Sequence, residues 1–208
     1  TKEAPIDLAT AFWYGAPGQS FVMEGGTYTF KEGLTVLRGV DGTEDAPIVL
    51  APAEGERAVL DFAKEGTGLQ IWGDYWHIKN IDVCNASDGN CGIRLSGHHN
   101  ILEGIKTYNN GNTGLQVSGT SEETIDMWPS DNLILNCTSY NNCDEAMEDA
   151  DGFAAKLTCG EGNVFRGCIA AYNADDGWDL FAKIATGKIG AVTIEDCVAF
   201  KNGYVYDE

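Results

Sequence analysis

Positive charge is scarce in this chain. Across 208 residues, 13 lysines and arginines stand against 32 aspartates and glutamates, a formal net charge of -19. Such a surface repels phosphate backbones and anionic bilayers, so neither nucleic acid nor membrane is expected as a partner. Much of this acid reads as ordinary solvated surface, of the kind that secreted and salt-adapted proteins carry. Long hydrophobic runs are missing too, and none approaches the roughly 18 residues a membrane span requires. No signal-peptide pattern opens at Thr1, as in a sequence that starts after a removed leader, and a secreted, extracellular location is the expectation. Histidine is reduced to His77, His98 and His99, and no Cys-x2-Cys pair occurs, so a zinc finger or ribbon is not supported. The cysteines (Cys84, Cys91, Cys137, Cys143, Cys159, Cys168 and Cys197) are odd in number, and three share one repeat position, so a disulfide framework is not required.

What is present is a repeat. The segments beginning Asn80-Ile81, Gly104-Ile105, Asn136-Cys137, Gly167-Cys168 and Asp196-Cys197 align without internal gaps, and the second residue of each recurs after 24, 32, 31 and 29 residues. In stacked coils those side chains lie one above another in a dry interior, where a free cysteine behaves as a small hydrophobe. Cys137, Cys168 and Cys197 are therefore assigned to packing. Five residues further on stand Asn110, Asn142, Asn173 and Asn202, an asparagine column at one turn of the coil. Asparagine tolerates the left-handed backbone of such turns, and its amide can satisfy groups in the coils above and below.

Between the turns lie short β-rich segments such as Ile48-Val49-Leu50, Ile93-Arg94-Leu95, Leu115-Gln116-Val117 and Val192-Thr193-Ile194, none long enough for a convincing helix. Short strands, 26 glycines and a repeat of this length predict an all-β parallel solenoid of roughly seven or eight coils. Residues 1–208 are read as a single domain, with residues 1–20, including Phe12, Trp13 and Tyr14, as an N-terminal cap. Ser118 to Asp131 and Cys143 to Ala150 are expected to leave the coils as loops.

Two acidic segments fall at matching places in successive repeats: Asp149-Ala150-Asp151-Gly152-Phe153-Ala154-Ala155-Lys156 and Asn173-Ala174-Asp175-Asp176-Gly177-Trp178-Asp179-Leu180. Stacking brings their aspartates together. Crowded carboxylates repel one another unless a cation sits among them, and oxygen-only ligands suit a hard ion such as Ca²⁺.

The run from Asp151 to Thr158, followed by Gly162 to Cys168 and Asn173 to Phe181, resembles the core of family nine polysaccharide lyases, pectate lyases built on a right-handed parallel β-helix. The resemblance is specific over residues 130–205 and looser before them. It implies that Asp151, Asp175, Asp176 and Asp179 hold a catalytic Ca²⁺, and that the substrate is an acidic polysaccharide, polygalacturonate (pectate), cleaved by β-elimination. It also implies a lysine base from a following coil, and the chain reaches Glu208 before such a strand occurs, so the catalytic residue is left unassigned and the chain is read as a fragment. Lys156, Lys183, Lys188 and Lys201 are read as solvated or ion-paired, with Lys156 or Lys183 as a contact for a uronate carboxylate. Two alternatives stand beside this reading. One is a β-helical polygalacturonase, for which the chain offers only Gly97-His98-His99 and Gly92-Ile93-Arg94-Leu95 as partial motifs. The other is a noncatalytic, Ca²⁺-stabilised helix that binds acidic polysaccharide.

Overall fold

The computed structural model describes residues 5–203. Expectations that fall on residues 1–4 or 204–208 lie outside the described residues. The chain winds through three parallel sheets of seven, seven and six strands, each pairing only with the equivalent strand of the coils before and after it. The first sheet runs from Ser20–Met23 to Val192–Glu195, the second from Gly26–Thr29 to Val198–Phe200, and the third from Leu34–Val36 to Trp178–Asp179. This is the parallel β-helix expected from the repeat.

The corner between the first and second sheets explains the start of the aligned segments. Asn80, Gly104, Asn136, Gly167 and Asp196 all adopt a left-handed backbone, with φ between 52° and 65°. Only glycine and short polar residues tolerate that geometry at little cost, which is why each repeat begins with one of them. The residues that follow stack inward: Ile81, Ile105, Cys137 and Cys168 are each 1 % exposed or less, whereas Cys197, expected in the same dry column, packs against the core but is only half-buried because no further described coil covers it. All seven cysteines are free. Burying each isoleucine contributes roughly 1.5 to 3 kcal/mol, and each of the smaller cysteines less.

The expected asparagine ladder is continuous. Asn110 Nδ2 donates to Asn142 Oδ1 at 2.9 Å, Asn142 Nδ2 to Asn173 Oδ1 at 2.8 Å, and Asn173 Nδ2 to Asn202 Oδ1 at 2.8 Å. The left-handed residue at this turn differs from the expectation. It is the residue before each ladder asparagine, namely Asn109, Asn141, Tyr172 and Lys201. The ladder positions thus select asparagine for its amide and not for its backbone tolerance.

A second ladder runs up the turn that enters the first sheet. The backbone N–H of Asn100 donates to Asn132 Oδ1 at 2.9 Å, and Asn132 donates to Asn163 Oδ1 through its N–H at 3.2 Å and its amide at 2.9 Å. All three are buried, and with the first ladder they satisfy the polar groups of two of the turns in each coil.

At the start of the chain, helix Leu8–Tyr14 is capped by Asp7, whose Oδ1 accepts the Thr10 N–H at 2.8 Å. It turns the fully buried Phe12 edge-on to Trp76 at 5.7 Å between ring centres. Loops leave the coils between Val117 and Leu133, with a single 3-10 turn at Ile125–Met127, and between Tyr140 and Phe153, as the sequence indicates. A further excursion separates Trp178–Asp179 from Val192–Glu195.

Candidate metal centre

The third sheet ends where the acidic segments lie. Its inward row runs Leu69, Ile93, Leu115, Phe153 and Trp178, with the rings of Phe153 and Trp178 stacked at 5.0 Å. That packing fixes the height of the two strands. One residue before each strand, Gly92, Gly114, Gly152 and Gly177 pass closely over one another, the N–H of Gly152 bonding to Asp176 O at 2.8 Å. A Cβ on Gly152 would sit 2.7 Å from Asn173 Nδ2 and 2.8 Å from Ala170 Cβ, so glycine is required by close approach to the ladder. The residues just before these glycines stack in turn: Thr113, Asp151 and Asp176 form a column pointing to one place.

Carboxylate oxygens of Asp151, Asp175 and Asp176 lie within 4.8 Å of one another. Asp151 is fully buried, Asp175 half-buried and Asp176 exposed, so the group opens to solvent from a buried base. The two oxygens of Asp151 are used differently. Oδ2 accepts from Lys156 Nζ at 2.8 Å and from the Thr113 hydroxyl at 2.9 Å, whereas Oδ1 accepts only a long bond, 3.3 Å, from the Asp176 N–H. Asp179 lies outside the triple. Its Oδ2 is 2.8 Å from the same Lys156 ammonium, so the four aspartates named from the sequence appear as three gathered carboxylates and a fourth tied to them through a lysine.

Electrostatics follow from this crowding. Burial pushes the Asp151 carboxyl up, opposed by the bonds from Lys156 and Thr113. Burial also raises Asp175, and the charges of Asp151, Asp176 and Asp179 raise it further, the signature of a group repelled by its own kind. For Lys156, burial favours loss of the proton, but hydrogen bonds to Asp151 and Asp179 outweigh it and hold the ammonium above the ordinary lysine value. An all-oxygen donor set with a free lone pair on Asp151 Oδ1 and residual repulsion at Asp175 fits a hard divalent cation.

Beside the aspartates is a cavity of about 370 Å³, lined among others by Gln70, Arg94, Gln116, Lys156, Asp179 and Lys183. Gln70, Arg94 and Gln116 occupy the outward middle position of three successive strands of the third sheet. Arg94 stood out in the sequence only within the partial motif Gly92-Ile93-Arg94-Leu95, and Gln70 and Gln116 were not read as site residues, although each is a lone polar residue between two apolar ones in a three-residue strand. Thr113 and the cation bridge of Lys156 were missed as well. Of the other lysines considered from sequence, Lys183 reaches the cavity, Lys188 is exposed, and Lys201 lies over the Tyr172 ring at 5.2 Å. His98 and His99 are at a turn of the first sheet, His98 Nδ1 3.0 Å from Ser130 Oγ and His99 stacked on Tyr75 at 4.6 Å.

Comparison with known proteins agrees with the fold. The family model described as Pel9A-like, right-handed beta helix region, matches residues 1–208. Pectate lyase L of Thermoclostridium stercorarium is 45 % identical over the whole chain, and pectate lyase L of Paenibacillus polymyxa is 44 % identical over 96 % of it. The crystal structure of pectate lyase Pel9A superposes with a TM-score of 0.83 at 33 % identity over 99 % of the chain. The chain spans 17 % and 46 % of the two relatives and 51 % of that structure.

Proposed function

The chain belongs to the Pel9A-like right-handed β-helix family, and from that premise we propose that it carries the cation platform of a calcium-dependent pectate lyase that acts outside the cell. The observation that carries this reading is the meeting of Asp151, Asp175 and Asp176 from adjacent coils, beside a cavity that presents cationic and amide side chains. Asp151, Asp175, Asp176 and Asp179 are assigned as the residues that hold Ca²⁺. When bound there, the ion supplies positive charge against a uronate carboxylate as the proton on its neighbouring carbon is removed, which stabilises the developing anion.

The chain's own residues do the rest of the positioning. Thr113 and Lys156 fix one oxygen of Asp151 and leave the other facing the cluster. Arg94 and Lys183 line the cavity and offer positive charge to uronate carboxylates of a bound chain, Lys183 as a point charge and Arg94 through the part of its guanidinium not already donating to Ser118 O and Gly119 O. Lys156 is unsuited as the proton acceptor, because two carboxylates hold its ammonium charged. The acceptor is assigned to the lysine that the family resemblance places beyond Glu208, on a stretch of the longer relatives that this chain does not span. The region 1–208 is read as one solenoid domain, with helix Leu8–Tyr14 as its cap.

Incubation with de-esterified polygalacturonate and Ca²⁺ tests the proposal. The chain as given is expected to show little or no turnover. Extended through the following coil, it should give a Ca²⁺-dependent rise in ultraviolet absorbance from the 4,5-unsaturated product, abolished by chelation. Reducing ends without that absorbance would mean a hydrolase, and binding without cleavage by the extended protein would mean a noncatalytic module.

A further inference from the structure

Lys156 is more enclosed than a surface cation and engaged on two sides. Its side chain is 12 % exposed, and its Nζ lies 2.8 Å from both Asp151 Oδ2 and Asp179 Oδ2. Those carboxylates belong to different coils, since Ala154 pairs with Asp179 across the third sheet, so one ammonium clips two neighbouring turns of the solenoid. Its backbone is held as well, the Lys156 N–H bonding to Val117 O at 3.3 Å. The side chain of Asp151 has no exposed surface, and an anion so placed needs a counter-charge.

We propose that Lys156 is a built-in counter-cation that keeps the aspartate platform assembled when no divalent ion is bound, and that it lowers the platform's affinity for that ion. The inference rests on the calcium reading above and adds to it a residue that acts on the ion through the carboxylates of Asp151 and Asp179. Two effects of removing Lys156 oppose each other. Losing the ligand orientation it provides would weaken ion binding by roughly 10- to 100-fold. Losing a unit charge one carboxylate away from a divalent ion strengthens binding by more than about 1000-fold at a dielectric of ~20. The charge therefore wins, and the net change is tighter binding by at least about tenfold. In the absence of the ion the balance reverses, because Asp151 is left buried without a counter-charge, with only the Thr113 hydroxyl and the Asp176 N–H as donors.

The test is thermal melting in excess chelator and in saturating CaCl₂, with calorimetric CaCl₂ titration, on the native protein, Lys156→Met, Lys156→Arg and Asp176→Ala. In chelator, Lys156→Met is expected to melt roughly 6 to 20 °C below native. Saturating Ca²⁺ should close at least half of that gap, as linkage to a tighter ion requires. Lys156→Arg should keep the native melting point in chelator. An equal melting deficit with and without Ca²⁺, or an ion affinity that is unchanged or weaker in Lys156→Met, would overturn the proposal. If Lys156→Met folds only with Ca²⁺, the proposal holds. If it folds under neither condition, Lys156→Arg decides: native stability in chelator with native ion affinity supports the counter-cation, and loss of that stability overturns it. Asp176→Ala separates the two layers of argument. Undiminished Ca²⁺ binding there means that the calcium reading has failed, whereas its loss alongside native behaviour of Lys156→Met means that only the counter-cation has.

Discussion

Replacing Asn142 by alanine removes the centre of the longer ladder, and its effect can be worked out bond by bond. Asn142 is fully buried. Its Oδ1 accepts from Asn110 twice, from the backbone N–H at 3.1 Å and from the amide at 2.9 Å, and its Nδ2 donates to Asn173 Oδ1 at 2.8 Å and Ser139 Oγ at 3.0 Å. Alanine leaves both Asn110 donors without that acceptor at a place water reaches only by opening the coil. At about 1 to 3 kcal/mol for each buried unsatisfied group, the loss is about 2 to 6 kcal/mol. For a chain of this length that lowers the melting midpoint by roughly 5 to 20 °C, measurable by circular dichroism. Asn202→Ala provides the comparison. Asn202 also accepts two bonds, from the Asn173 N–H and amide, but it is only half-buried, so water can replace it and the loss should be smaller. A loss below about 1 kcal/mol in Asn142→Ala, or a larger loss in Asn202→Ala, would refute the idea that ladder amides are valued for the buried groups they satisfy.

Gly152→Ala should destabilise the protein by about 1 to 3 kcal/mol, because the new Cβ has no room beside Ala170 and the ladder. The same shift moves Asp151, so Ca²⁺ affinity measured by calorimetry should fall with it. The buried thiols Cys137 and Cys168 should resist labelling in the native protein and react after denaturation, while the exposed Cys143 labels at once; mass spectrometry of the modified peptides checks both, and rapid native labelling of Cys168 would mean that the coil register is wrong.

The solenoid was legible because its strongest constraints recur in sequence. At the corner between the first and second sheets the left-handed residue is always Asn, Gly or Asp and the next side chain is apolar, so Asn80-Ile81 through Asp196-Cys197 align by eye. The second ladder was less visible. Its members Asn100, Asn132 and Asn163 follow left-handed residues as different as His99, Asp131 and Gly162, and the coil below supplies only the backbone N–H of Trp76, so no constant motif marks the turn. At the candidate site, the aspartates declared themselves by their density and their matched positions. What sequence did not reveal was how they divide. Three converge because Asp151, Asp175 and Asp176 flank the glycine column, while Asp179 is the outward residue of its strand and meets Lys156 instead. A lysine five residues after Asp151 reads as solvated or ion-paired, and only stacking the coils shows that it pairs with Asp151 and Asp179 at once. The face shared by Gln70, Arg94 and Gln116 was hidden for the same reason, since it exists only across strands 22 to 24 residues apart.

The central claim is that the stacked aspartates are a calcium platform, and the most direct measurement is a crystal structure of the protein soaked with Ca²⁺. One ordered ion is expected among Asp151, Asp175, Asp176 and Asp179, about 2.3 to 2.6 Å from their carboxylate oxygens. An ordered ion elsewhere on the acidic surface, with these four carboxylates left as they stand in the ion-free protein, would contradict it.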